Sequence, residues 1–128
     1  AVLTAKLLPL DSDNRHRATI AELYYKGINN PLVRLPRHVA PEHNVYHLFP
    51  IFCDSRDRLQ QHLANRGIET LIHYPIPPHK QEAMEEFSAC RFPVTERIHR
   101  EELSLPCNPA MSDADIETVI RAVNAFKG

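Results

Sequence analysis

The stretch "NVYHLFPIFCDSRDRLQQHLANRGIETLIHYP", residues 44–75, changes character twice. Residues 44–54 are β-branched and aromatic and bounded by turn formers, which predicts a buried strand. Pro50 inside it lacks an amide donor and points to an edge position or a bulge. Asp54 or Ser55 then caps a helix, with Asp57 in its first turn, Leu59 and Leu63 on its inner face and Gly67 as its stop. "ETLIHYP", residues 69–75, returns to strand character. Strand, helix and strand in succession predict an α/β layer.

Downstream, "HKQEAMEEF" (79–87) has Ala83, Met84 and Phe87 on one helical side. Pro93 suits the first turn of a short helix running through "VTERIHREE". "LSLPC" (103–107) reads as a third short strand. Ser112 with Asp115 three residues on opens a capping box, and Ile116, Val119, Ile120, Val123 and Phe126 follow helical spacing. Upstream, residues 1–8 read as the tail of a helix that Pro9 stops. Asp11, Ser12 or Asp13 caps the next helix, which carries Ile20, Leu23 and Tyr24 and ends at Gly27. "INNPLVRLPRHVAPEH" (28–43) is a proline-rich connector holding one short extended piece at 32–35. The expected fold class is α/β in the α+β, two-layer sense: a small mixed or antiparallel sheet of about three strands covered by helices.

The 128 residues suit one domain, and 43% apolar with 24% charged residues is an ordinary globular composition. A formal net charge of -1, with acids and bases interspersed, argues against nucleic acid as a partner. No apolar run approaches a membrane span, and the start "AVLTAKLLPL" lacks the parts of a signal peptide. It also lacks an initiator Met, so a piece of a longer chain is expected. Cys53, Cys90 and Cys107 are widely spaced and cannot all pair, which argues for a reducing, cytoplasmic setting.

Four chemistries are worth weighing. A metal site at His43, His47, His73 and His79 has no H-E-x-x-H or C-x-x-C pattern behind it, and no metal is expected. Cys53 and Cys107 sit at strand ends, where a free cysteine is often a small buried apolar residue. No G-x-S-x-G elbow and no Gly-rich phosphate loop is present. The loop "HYPIPPHKQ", residues 73–81, is stiffened by Pro75, Pro77 and Pro78. Around it stand His73, Tyr74, His79 and Lys80, which suit a hydroxylated, phosphate-bearing ligand, with Lys80 as a point charge. The plainer reading is a proline turn that redirects the chain, with its polar residues at an interface.

The ordered blocks "KLLPLDSDNRHRATIAELY", "VYHLFPIF", "LQQHLANRGIETLIHYPIPPHKQ" and "EELSLPCNPAMSDADIETVI" resemble the carboxy-terminal domain of DegT/StrS-type sugar aminotransferases, which use pyridoxal phosphate (PLP) on fold type I. The resemblance covers the chain from about residue 1 to its end, and "GIETLIHYPIPPHKQ" is most similar to the subgroup that aminates dTDP-linked 3-keto-6-deoxy sugars. It implies transfer of an amino group from L-glutamate to a nucleotide-linked keto sugar. The product serves lipopolysaccharide, surface glycan or an antibiotic. It also implies that residues 1–30 are interdomain connecting helices and residues 31–128 the small domain. The PLP-binding large domain, with the Schiff-base lysine, lies outside this chain. Lys6, Lys26, Lys80 and Lys127 match no Schiff-base motif. His73, Tyr74, His79 and Lys80 match the substrate loop, and His47 a structural position. No catalytic or cofactor-binding residue is then expected in the chain, which alone would be inactive and without PLP, while the whole enzyme would be a homodimer. The rival from another class is a non-catalytic sugar-nucleotide-binding or regulatory α/β module.

Overall fold

Two short strands set the frame. β1 (Phe49–Phe52) and β2 (Glu102–Leu105) pair antiparallel, with Phe49 opposite Leu105 and Ile51 opposite Leu103. A computed structural model of the chain describes residues 2–39 and 43–128. Expectations that touch Ala1, or residues 40–42 in the connector, lie outside the described residues. Phe52 exchanges both backbone bonds with Arg34, on the side of β1 away from β2. Pro50, two residues earlier, turns its nitrogen the same way, where it faces no partner strand, so the missing donor costs nothing.

The expected sheet of about three strands is realised as these two strands, flanked by single bridges at Arg34 and Leu71. The bridge at Arg34 falls within the extended piece expected at 32–35. "ETLIHYP" is not a full strand. Leu71 exchanges backbone bonds with Ser104 (3.3 and 2.8 Å), and antiparallel register would next set His73 against Glu102. There the Glu102 side chain intervenes: its Oε2 accepts the His73 backbone N–H at 2.7 Å. The ladder stops where a side chain replaces a backbone acceptor.

β1 is also shorter than residues 44–54. Tyr46 holds a φ of 47°, a left-handed turn that no strand continues through. Its N–H donates to Asn44 Oδ1 at 2.9 Å and its hydroxyl to the Val39 carbonyl at 3.1 Å, which hold the turn.

The helices are α1 (Val2–Leu7), α2 (Leu10–Gly27), α3 (Arg56–Ala64), α4 (Pro93–Glu101) and α5 (Asp113–Asn124). α2 follows Pro9 directly, and Asp11, Ser12 and Asp13 lie inside its first turn instead of capping it. Ser55 stands at the N-cap of α3 without a side-chain cap bond. Gly67 (φ 74°) ends α3, and Ile68 N–H returns to the Leu63 carbonyl at 3.1 Å, the αL stop expected there. The "HKQEAMEEF" helix is instead two tighter 3-10 segments, Pro78–Lys80 and Glu82–Phe87. α4 opens on Pro93 as expected.

The core lies between the sheet and helices α2, α3 and α5. Ile20, Tyr24, Phe49, Ile51, Leu59, Leu63, Leu103, Ile116 and Val123 are all buried. The Tyr24 hydroxyl donates to the Pro106 carbonyl at 2.7 Å, and burial pushes that phenol's pKa upward. Gly27 has a different reason from the expected αL stop. A Cβ there would meet two atoms of Ile120 at 2.9 Å, so the glycine permits α2 and α5 to close. Gly27→Ala is expected to cost about 1 kcal/mol, the overpacking penalty exceeding the gain in helix propensity. Urea denaturation measures it.

The capping box of α5 is complete. Asp115 N–H donates to Ser112 Oγ at 3.3 Å, while Ser112 N–H and Oγ donate to Asp115 Oδ2 at 2.9 and 2.7 Å. Those two bonds hold the Asp115 carboxyl below its ordinary pKa. Its stabilising effect is therefore full above the ordinary carboxylate range and fades as pH falls through the lowered value. Ser112→Ala is expected to cost about 1 kcal/mol near neutral pH. The gap between variant and wild type narrows in acid, as melts across pH will record.

Candidate functional site

The prolines carry residues 73–81 away from the sheet, and β2 and α4 hold the loop at both ends. His73 Nδ1 lies 2.9 Å from Ser104 Oγ, which itself donates to Glu102 Oε1 at 2.6 Å. Glu102 and Ser104 alternate with Leu103 and Leu105 along β2 and share its opposite face. Both are buried, so the His73 ring is fixed from the sheet side. The Tyr74 carbonyl accepts from His99 Nδ1 of α4 at 2.5 Å. The Tyr74 side chain stays 65% exposed, which leaves its hydroxyl available to a ligand.

His79 and Lys80 behave differently from His73. His79 is buried; its Nε2 meets Glu96 Oε1 at 3.1 Å and its ring packs edge-on against Phe92 at 4.9 Å. Glu96 Oε1 also accepts the Phe92 N–H at 3.0 Å. That bond, with His79 alongside, holds the Glu96 carboxyl below its ordinary pKa. Lys80 Nζ donates to the Ser88 carbonyl, and lies 3.4 Å from that of Cys90. Both residues thus hold the 78–96 stretch together. Lys80 is exposed, and its ammonium keeps its charge while it donates to these neutral carbonyls.

His73 shares an open cleft of about 280 Å³ with His47, Leu48, Leu71, Ser104 and Cys107. His43 and His79 do not join them. Among the described residues no three His, Cys, Asp or Glu side chains come close enough to hold a metal ion, so the four-histidine reading has no ligand set. Cys53 and Cys107 are buried free thiols. Burial pushes the Cys107 thiol up to about 11 and also raises that of Cys53, so neither supplies a thiolate near neutral pH.

Sequence reasoning missed Glu102, Ser104 and His99. A signal existed for the first two: in "ELSL" a Glu and a Ser two apart lie on one face of a strand whose other face is leucine. His99 gave none, because its partner is a backbone carbonyl 25 residues away in sequence.

The family model described as the DegT/DnrJ/EryC1/StrS aminotransferase family matches residues 1–124. The chain is 45% identical over 126 residues to the dTDP-3-amino-3,6-dideoxy-alpha-D-galactopyranose transaminase of Aneurinibacillus thermoaerophilus, covering 98% of this chain and 35% of that protein. It is 38% identical over 128 residues to the Saccharopolyspora erythraea protein named erythromycin biosynthesis sensory transduction protein EryC1, with 98% and 35% covered. Among solved structures, S. venezuelae DesV in complex with a ketimine intermediate superposes with a TM-score of 0.89 at 36% identity, over 96% of this chain and 34% of that one. The chain thus spans about a third of the length of the relatives it matches.

Proposed function

The chain belongs to the DegT/DnrJ/EryC1/StrS aminotransferase family, and from that premise we propose that it is the carboxy-terminal small domain of a PLP-dependent sugar-nucleotide aminotransferase. The enzyme moves an amino group from L-glutamate to dTDP-3-keto-6-deoxyhexose, and the amino sugar enters a surface polysaccharide or glycan such as lipopolysaccharide. The observation that carries this reading is the 45% identity, across nearly the whole chain, to a transaminase of dTDP-linked 3-amino sugars.

In this reading residues 1–30 connect the domains and residues 31–128 form the small domain. Exposed Val2, Leu3, Leu7 and Leu8 along and just after α1 fit a segment that packs against another part of the protein. His73 and Tyr74 meet the nucleotide sugar. His79, which is buried, keeps the loop in shape, while exposed Lys80 stands beside them as a charge for the phosphates. Orientation of the reacting carbon and exclusion of water are what a stiff wall contributes.

PLP, when bound, stores the amino group and acts as an electron sink. In this proposal the residues of this chain do not build its site. Of four lysines, Lys80 alone lies in the loop, and its Nζ is held by backbone carbonyls. The cofactor belongs to the large domain in this proposal, and the 128-residue chain alone neither holds PLP nor transaminates. The whole enzyme is a homodimer in the cytoplasm. Three free cysteines suit a reducing compartment, and no helix among the described residues is long and apolar enough to cross a membrane.

A second reading, a non-catalytic regulatory module that binds the sugar nucleotide, draws on the name of the Saccharopolyspora relative. One experiment separates them. The full-length protein is incubated with amine-labelled L-glutamate and dTDP-3-keto-6-deoxyhexose. Label recovered in an amino sugar by mass spectrometry is the expected result. Tight binding of the nucleotide sugar without label transfer would favour the regulatory module.

A further inference from the structure

Two side chains of β2 decide how His73 is presented. Ser104 Oγ gives its single proton to Glu102 Oε1 at 2.6 Å. Its oxygen therefore meets His73 Nδ1, 2.9 Å away, as an acceptor, and Nδ1 carries the proton. Glu102 Oε2 accepts the backbone N–H of the same histidine at 2.7 Å. One carboxylate thus fixes both the backbone and, through serine, the ring. Glu102 and Ser104 are each 4% exposed, so water is a poor substitute partner. Reversing the serine, so that it donates to His73, would take a donor from a buried carboxylate, which is costly.

With Nδ1 protonated, the neutral ring offers a lone pair at Nε2. No described residue bonds that nitrogen, and the ring lines the cleft it shares with His47 and Leu71.

We propose that Glu102, acting through Ser104, is a positioning residue that locks His73 in its Nδ1–H tautomer, so that Nε2 accepts a hydrogen bond from a hydroxyl of the hexose. A phosphodiester oxygen has no proton to give, so His73 reads the sugar end of the nucleotide sugar and not its phosphates. The identity of the ligand rests on the function proposed above; the tautomer does not.

Nitrogen-15 magic-angle-spinning NMR of the full-length enzyme, labelled at histidine, tests this, with the His73 signals assigned by their loss in His73→Ala. The wild type is expected to show a protonated Nδ1 and an unprotonated Nε2. Glu102→Gln keeps one acceptor oxygen, which the His73 backbone N–H takes, and its amide NH2 then donates to Ser104 Oγ, so Ser104 turns its own proton toward the ring and His73 moves to the Nε2–H form. Ser104→Ala removes one hydroxyl and tests the same link should Glu102→Gln fail to fold; its His73 loses the tautomer preference. In both variants KM for the sugar nucleotide is expected to rise at least about 10-fold, the loss of one hydrogen bond to a well-placed group. The L-glutamate half-reaction stays unchanged. A wild-type ring in the Nε2–H form, or ring shifts that neither variant moves, overturns the proposal. If the enzyme aminates no nucleotide sugar, the proposed function fails, while the spectra still judge the tautomer.

Discussion

Replacing His73 with alanine in the full-length enzyme is expected to slow the sugar half-reaction about 10²-fold, the scale on which lost orientation is felt. The half-reaction with L-glutamate is expected to keep its rate. The asymmetry follows from where the residue sits. The imidazole is held from behind by Ser104 at 2.9 Å and its backbone by Glu102 at 2.7 Å, so it is rigid before any ligand arrives and orders the ligand at little entropic cost. Its neighbour Tyr74 is 65% exposed on the same loop. A residue so placed discriminates between two substrates only if one of them is large enough to reach the loop. In the proposed reading that is the nucleotide sugar, while the amino donor is chosen elsewhere. Stopped-flow spectra of each half-reaction measure the two rates separately. Equal losses in both would show that His73 supports the site as a whole and does not read the sugar.

Replacing Phe49 with alanine is expected to remove about 3–5 kcal/mol of stability, as for other fully buried aromatic residues. Phe49 has no exposed surface. Its ring lies edge-on to Tyr24 at 5.0 Å and to Tyr25 at 5.2 Å, contacts that alanine cannot reach. A typical domain holds only about 5–15 kcal/mol in total. With a slope of about 1–3 kcal/mol per molar urea, the midpoint falls by roughly 1–5 M. The site suffers too, because Phe49 opposite Leu105 sets the register that places Ser104 and Glu102. Val94, 64% exposed on α4, serves as the control: Val94→Ala is expected to stay within about 0.5 kcal/mol. A loss below about 1 kcal/mol at Phe49 would mean that the aromatic cluster collapses around the vacancy.

The elements that declared themselves in the sequence are those governed by local chemistry. The Ser112–Asp115 box, the apolar stripe of α5, Pro93 at the start of α4 and the αL stop at Gly67 each depend on neighbours within a few residues. The elements that did not are governed by distant partners. The ladder at "ETLIHYP" is cut short by a carboxylate 29 positions along the chain, which strand propensity cannot register. Gly27 ends α2 as expected, but for want of space beside Ile120. The site shows the same division. His73 and Tyr74 stood out beside three prolines and remain presented. His79 looked equally polar in the sequence, and only its burial against Glu96 reveals it as a staple. Glu102 shares one strand face with Ser104 in "ELSL", but a charged residue beside an apolar run reads first as the end of a strand.

In the proposed function this chain is part of an enzyme that carries an amino group from L-glutamate to a nucleotide-linked keto sugar. The most direct test is the visible absorbance of the full-length protein purified from its source. A cofactor band that shifts when L-glutamate is added and returns when dTDP-3-keto-6-deoxyhexose follows is the expected result. A protein with no such band, or one that L-glutamate leaves unchanged, would contradict it.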